Sequence, residues 1–209
     1  LMMLVEQRVS DRKVLKLIRG WLTAGIMKDD QFHESDIGSP QGGVISPLLA
    51  YIYLNYLDTI WQEKFMHLGT MVRYADDLVV LCHKVAEARE SVYVLRAVFE
   101  KLELTMNTEK SKLVNLWQCD QGFDFLGHHL RRMPVRRKGG TEARILRCVP
   151  SKKAMEKWRL KVKDTAPRYL LHKKINDLIK ILNPKIMGWR NYYGKVDSGA
   201  ANSFLAQIV

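Results

Sequence analysis

The sequence predicts an α+β fold, an antiparallel sheet with packed helices followed by a helical region, and three observations carry that prediction. Apolar and β-branched residues flank Asp76-Asp77 on both sides, the pattern of two strands joined by a tight turn. Val85, Ala88, Val92, Leu95, Phe99 and Leu102 recur at steps of three and four, which marks an amphipathic helix covering a sheet. Beyond Pro150-Ser151 the apolar period becomes helical. With 209 residues, 47% of them hydrophobic, the chain can bury one good core and a small second domain.

The elements follow in order. Ser10 is placed to cap a helix that carries Val14, Leu15, Ile18, Trp21 and Leu22 on one side and stops at Gly25. Residues 28–37 are polar and predict a short hairpin or loop. Gly38-Ser39-Pro40-Gln41-Gly42-Gly43 is a rigid, side-chain-poor loop, and Ser46-Pro47 is a strong helix start, with Ser as N-cap and a helix reaching about Lys64. After the Asp76-Asp77 hairpin and the helix from Val85, returning strands are expected at 102–106 and 112–116. Residues 123–130 alternate like a strand bent at Gly127. Arg131 to Gly140 reads as a basic hairpin tip with Arg144–Val149 as its returning strand. Helices are expected at about 152–164, 172–182 and 184–193, the last starting at Pro184, with a further one beginning at Ser198.

Charge is spread unevenly. From Arg131 to Lys195 there are twenty Lys and Arg against four acids, 20 − 4 = +16, so the remainder of the +12 chain carries 12 − 16 = −4. The basic part is interleaved with Trp158, Tyr169, Trp189, Tyr192 and Tyr193, a combination that nucleic-acid surfaces use for stacking. No run of eighteen apolar residues occurs, which excludes a single membrane-spanning helix and leaves no membrane partner expected. Three widely spaced cysteines, Cys82, Cys119 and Cys148, argue against a disulfide framework and against a zinc site, and fit a reducing cytoplasm. Leu1 in place of an initiator Met reads as the start of a piece cut from a longer protein.

Two stretches invite chemistry. Adjacent carboxylates at a sheet tip repel each other, and a divalent cation, which takes oxygen ligands, would remove that repulsion. Glycine-rich backbone just before a helix lets a ligand approach main-chain amides closely; the loop lacks the Gly-Lys-Ser or Gly-Lys-Thr of a phosphate loop. His128-His129 looks metal-like, but neighbours on a strand point to opposite faces and cannot readily share one ion.

Tyr74-Ala75-Asp76-Asp77 resembles the catalytic hairpin of reverse transcriptases, and Val72 to Asp77 looks like the version found in group II intron-encoded enzymes. Further blocks in order strengthen the likeness. Pro40-Gln41-Gly42 resembles the loop whose glutamine and glycine lie against the incoming nucleotide. Asn107-Thr108-Glu109-Lys110-Ser111 resembles the palm motif in which a lysine approaches the nucleotide phosphates. Phe125-Leu126-Gly127 resembles the primer grip, and Asn183 to Tyr193 resembles the thumb, or maturase, domain of group II intron proteins.

The resemblance implies a polymerase palm over 1–149 and a helical thumb over 150–209. It implies RNA-directed DNA synthesis with Asp76 and Asp77 as ligands of Mg2+, two ions in the complete enzyme. Tyr74 then packs on the primer end, and Lys110 stabilises the leaving pyrophosphate. The implied partners are an RNA template, intron RNA, a DNA primer and deoxynucleoside triphosphates, in a bacterial cytoplasm or an organelle. The family's other metal-binding strand is not found among the 209 residues, so the isolated chain is expected not to polymerise DNA, and the sheet edge it leaves open suggests a strand-exchanged homodimer. The alternative reading is an RNA-binding splicing cofactor in which the acidic pair is idle.

Overall fold

A computed structural model describes residues 1–23, 26–28, 31–33, 44–118, 120–136, 142–165, 167 and 175–206, and divides into two units, Leu1–Ser111 and Lys112–Val209. The fold is α+β, with three small sheets, all antiparallel, among helices in the described residues. No helix among the described residues is long and apolar enough to cross a membrane.

The first unit begins with helices α1 (Met2–Glu6) and α2 (Arg12–Thr23). Asp11, not Ser10, caps α2: its Oδ1 accepts the amides of Lys13 at 2.7 Å and Val14 at 3.4 Å, and a carboxylate at the positive end of a helix dipole is favoured there. Ile18 packs with Val5 and with Leu49 of α3 (Ser46–Ile60) in a small apolar cluster, while Val14 and Trp21, expected on the same buried side, stay exposed. Between α2 and α3, β1 (Ile26–Lys28) pairs with β2 (Gln31–His33), in the stretch where a hairpin or loop was expected. The N-cap of α3 is Ile45, so Ser46 is already helical and Pro47 follows it in the first turn, where the missing amide costs nothing. The helical run continues through a π-turn (Trp61–Phe65) and a 3₁₀ turn (Met66–Leu68).

Strands β3 (Thr70–Tyr74) and β4 (Asp77–Leu81) then form a hairpin, and α4 (Val85–Lys101) covers it. Leu57, Trp61, Leu68, Leu95, Val98 and Leu102 make the core, with Met71, Leu78 and Val80 of the hairpin packed against it. Each such side chain contributes about 2 kcal/mol of burial. The strand expected at 102–106 is absent, because these residues end α4. Leu104 donates its amide to Phe99 O at 2.9 Å and Glu103 to Glu100 O at 3.1 Å, with Glu103 at φ 53°, the two bonds of a Schellman cap. The strand expected at 112–116 does not form either: it pairs with no described strand, and the chain there is irregular.

The second unit is built on a three-stranded sheet of β5 (Gly122–Phe125), β6 (His128–Arg136) and β7 (Glu142–Pro150). The expected bent strand over 123–130 is therefore two strands joined by Leu126-Gly127. Ser151 caps α5 (Lys152–Thr165), its Oγ accepting the Ala154 amide at 3.2 Å. The two helices expected on either side of Asn183 are one, α6 (Ile175–Tyr193), with Pro184 inside it. A proline there removes one helical hydrogen bond, but Ile186, Trp189 and Tyr193 beyond it pack with Trp158 and with Ala201, Phe204 and Leu205 of α7 (Ser198–Ala206), and that packing carries the helix across. Trp158 and Trp189, 5% and 8% exposed, stack on each other with centroids 5.9 Å apart, so they are core residues and not the stacking surface expected of them.

Candidate functional site

The β3–β4 register closes on Tyr74 opposite Asp77, leaving Ala75 and Asp76 as the two residues of the turn. Only the first of them has positive φ, 53° at Ala75, the requirement of a type II′ hairpin turn, usually met by glycine. Asp76 thus sits at the tip and Asp77 begins the returning strand. Both are exposed, and neither carboxylate forms a hydrogen bond or ion pair with another described residue. Partners across an antiparallel ladder share a face, which puts Tyr74, 59% exposed, beside Asp77 on the solvent side of the hairpin, while Met71, Arg73, Leu78 and Val80 take the other side.

The turn is fastened from below by Arg73. Its guanidinium forms a two-pronged ion pair with Asp58 of α3, through Nε to Oδ1 at 2.8 Å and Nη2 to Oδ2, while Nη1 donates to the carbonyl of Ala75 at 2.9 Å. The bond to Asp58 holds the Arg73 pKa above its ordinary value, and the ring of Tyr51 lies 5.3 Å from the guanidinium carbon. The cation nearest in sequence to the acidic pair is therefore engaged by Asp58, which leaves the two carboxylates unneutralised. Two adjacent hard oxygen donors without partners among the described residues fit a divalent ion such as Mg2+ in kind. They do not complete its shell, and among the described residues no group of three His, Cys, Asp or Glu converges.

Lys110 is exposed in a turn of the same unit. Asn107 Oδ1 accepts the amides of Glu109 and Lys110, both at 3.1 Å, so the backbone that presents the lysine is fixed by an Asx turn. Gln41 and Gly42 lie outside the described residues.

In the second unit, Leu126 and Gly127 have φ of 49° and 79°, both positive as a type I′ turn requires. Tyr192 of α6 donates its hydroxyl to Leu126 O at 2.9 Å, and Ser151 donates its amide to Gly127 O at 2.8 Å. A Cβ added to Gly127 would lie 2.8 Å from the Tyr193 hydroxyl, and burial pushes that phenol's pKa up. His128 packs on Tyr192 and Tyr193 with centroids 5.2 and 4.8 Å away, whereas the ring of His129 meets Asp124 Oδ1 at 2.6 Å. The two histidines are thus engaged separately. Asp58, Tyr192 and Tyr193 acquire positioning roles here that sequence spacing alone did not announce.

An α+β fold with an acidic pair at the tip of a covered hairpin, followed by a unit of sheet and helices, is consistent with the palm-and-thumb class of nucleic-acid polymerases. Residues 5–130 match the family model for reverse transcriptase (RNA-dependent DNA polymerase), and residues 155–209 match the group II intron, maturase-specific domain. The chain belongs to the reverse transcriptase family, in its group II intron-encoded branch.

Among curated relatives, Protein YkfC of Escherichia coli is 31% identical over 186 residues, covering 74% of this chain and 47% of that protein. Group II intron-encoded protein LtrA of Lactococcus lactis is 24% identical over 290 residues, covering 99% of this chain and 47% of LtrA. An uncharacterized 91 kDa protein in the cob intron of Schizosaccharomyces pombe is 33% identical over 76 residues, 35% of this chain and 9% of that protein. The chain spans about half the length of the first two.

Proposed function

We propose that the chain forms the catalytic hairpin, primer grip and part of the thumb of an RNA-directed DNA polymerase, which copies an RNA template by adding deoxynucleotides to a primer 3′-hydroxyl. Residues 1–149 act as palm and 150–209 as thumb. The observation that carries this reading is the tip of the β3–β4 hairpin, where the side chains of Asp76 and Asp77 stand exposed, without a partner among the described residues, on a turn clamped by Arg73. Asp76 and Asp77 would hold magnesium, which when bound lowers the pKa of the attacking hydroxyl and neutralises charge on the triphosphate. Asp76 is the principal ligand and Asp77 supports it as a second ligand or through its field.

The other residues bind and orient. Tyr74, on the same hairpin face as Asp77, packs against the nucleotide at the primer end. Gln41 and Gly42 line the pocket of the incoming nucleotide, and Lys110 offers positive charge to the departing pyrophosphate. Phe125, Leu126 and Gly127 present backbone and apolar surface to the primer terminus. The basic second unit holds the phosphates of template, primer and intron RNA, contacts that weaken as salt rises.

With two carboxylates on one hairpin, the chain by itself is expected to bind magnesium weakly and to lack polymerase activity. A second reading, an RNA-binding splicing cofactor, is favoured by the maturase-specific match over residues 155–209. Asp76→Asn in a protein containing this chain separates the two. The polymerase reading expects nucleotide incorporation to fall about a hundredfold or more with RNA affinity retained. Unchanged incorporation eliminates the metal assignment.

A further inference from the structure

Trp117 stands apart from the buried tryptophans of this chain. Trp61, Trp158 and Trp189 are 2%, 5% and 8% exposed, each inside a core cluster, whereas Trp117 is 65% exposed. Trp21 is exposed as well, at 44%, but among the described residues Trp117 is the one tryptophan with a guanidinium over its ring. The loop holds it at both main-chain groups: its amide donates to Asn115 Oδ1 at 3.0 Å, and its carbonyl accepts from Arg144 Nη1 of β7 at 3.2 Å. The guanidinium carbon of Arg132, on β6, lies 4.0 Å from the indole centroid. One π-face is therefore covered by a cation, which leaves the opposite face for a ligand to stack on.

The strand register extends the patch. Arg132 is opposite Leu146, Pro134 opposite Arg144 and Arg136 opposite Glu142, so these six share one face of the sheet, with three guanidinium groups against one carboxylate. Leu146 is 56% exposed, and no described acidic residue forms an ion pair with Arg132, Arg136 or Arg144. An aromatic face held in place, backed by arginine and bordered by arginines that no described acidic residue pairs, is how proteins bind unpaired nucleotides: a base stacks on the ring and its phosphates meet the cations. An acidic peptide would satisfy the charges and leave the π-face without a partner.

We propose that Trp117, backed by Arg132 and flanked by Arg136 and Arg144, is a stacking platform for one unpaired base of an RNA strand. This deepens the functional reading above, on which it rests, by naming where the second unit takes hold of single-stranded RNA. It also relocates the stacking role from Trp158 and Trp189, which the core consumes, to a tryptophan lying outside the basic stretch that the sequence singled out.

The test uses the whole chain and two fluorescently labelled RNA probes, a single-stranded oligouridylate and a fully paired duplex of the same length, titrated at one fixed salt concentration. Trp117→Ala is expected to weaken single-strand binding about tenfold while changing duplex binding less than twofold, and Trp117→Phe to keep most of the affinity. The thermal unfolding midpoint of each variant establishes that the fold is intact. Trp117→Ala binding the single strand as tightly as the unaltered chain would overturn the platform and leave the polymerase reading standing. An equal loss for both probes, or tighter binding of polyglutamate than of RNA, would also overturn it. Failure of the unaltered chain to bind either RNA sinks the platform together with the RNA-handling part of the functional reading.

Discussion

Arg73 and Asp58 are joined across the α3–β3 interface by a two-pronged ion pair, and the same guanidinium holds the carbonyl of Ala75 at the turn that carries Asp76. The arginine side chain is 7% exposed and that of the aspartate 28%, so the pair is largely shielded from water. A helix laid down before the hairpin thereby fixes the backbone of the acidic tip.

Removing one partner of a shielded pair leaves the other charge unmatched, which is more damaging than never having had the pair. Asp58→Ala is expected to lower the stability of the first unit by about 2 kcal/mol, short of the full buried-pair penalty because Asp58 keeps some solvent. Asp58→Ala combined with Arg73→Met removes both charges and is expected to regain a large part of that loss. Urea unfolding of the single and double variants reads the coupling, and strictly additive effects would show that the pair does not hold the turn.

Gly127 and the Tyr193 hydroxyl offer a second coupling, within the other unit. Alanine at position 127 must accept φ of 79° and place a Cβ 2.8 Å from that oxygen. Gly127→Ala is expected to cost about 2 kcal/mol, roughly half from backbone strain and the rest from the clash. Adding Tyr193→Phe removes the offending atom and should return the second share only. Thermal unfolding of the four-member set decides: if Tyr193→Phe gives no relief, the contact is not the source of the cost.

What the sequence disclosed follows from how local each signal was. The β3–β4 hairpin and α4 were legible because their periods are uninterrupted, apolar residues on either side of Asp76-Asp77 in one case and steps of three and four from Val85 in the other. Leu102 to Met106 misled because Leu104 is apolar for a different reason: it folds back onto the end of α4 beside Phe99. Leu126-Gly127 looked like a bend, since leucine at φ of 49° is outside the usual vocabulary of two-residue turns. Trp158 was read as a surface residue from the surrounding lysines, although Met155 and Val162 stand at helical spacing from it and mark its side as buried. The partnership of Arg73 with Asp58 leaves no trace in the sequence, because a helix residue and a strand residue meet only once the chain has folded. Neither does the exposure of Trp117.

The start of α4 yields a pH dependence. The carboxylate of Glu87 accepts the amides of Lys84, the N-cap, at 3.0 Å and of His83 before it at 3.1 Å, fixing the chain's entry into the helix. The bond from the Lys84 amide, reinforced by that from His83, holds the Glu87 pKa below the usual carboxylate range against a smaller opposing effect of burial. A carboxyl whose pKa is lower folded than unfolded stabilises the fold above its unfolded value, about 4.3, and loses that contribution as pH falls through its folded value. Glu87→Gln keeps an oxygen to accept the amides but removes the charge. The unaltered chain is therefore expected to have the higher unfolding midpoint at pH 7, with the difference shrinking as the pH is brought down through the carboxylate range. Paired thermal scans from pH 3 to 8 measure that difference directly, and a gap that stayed the same on acidification would mean that the Glu87 charge contributes nothing to holding the first turn of the helix.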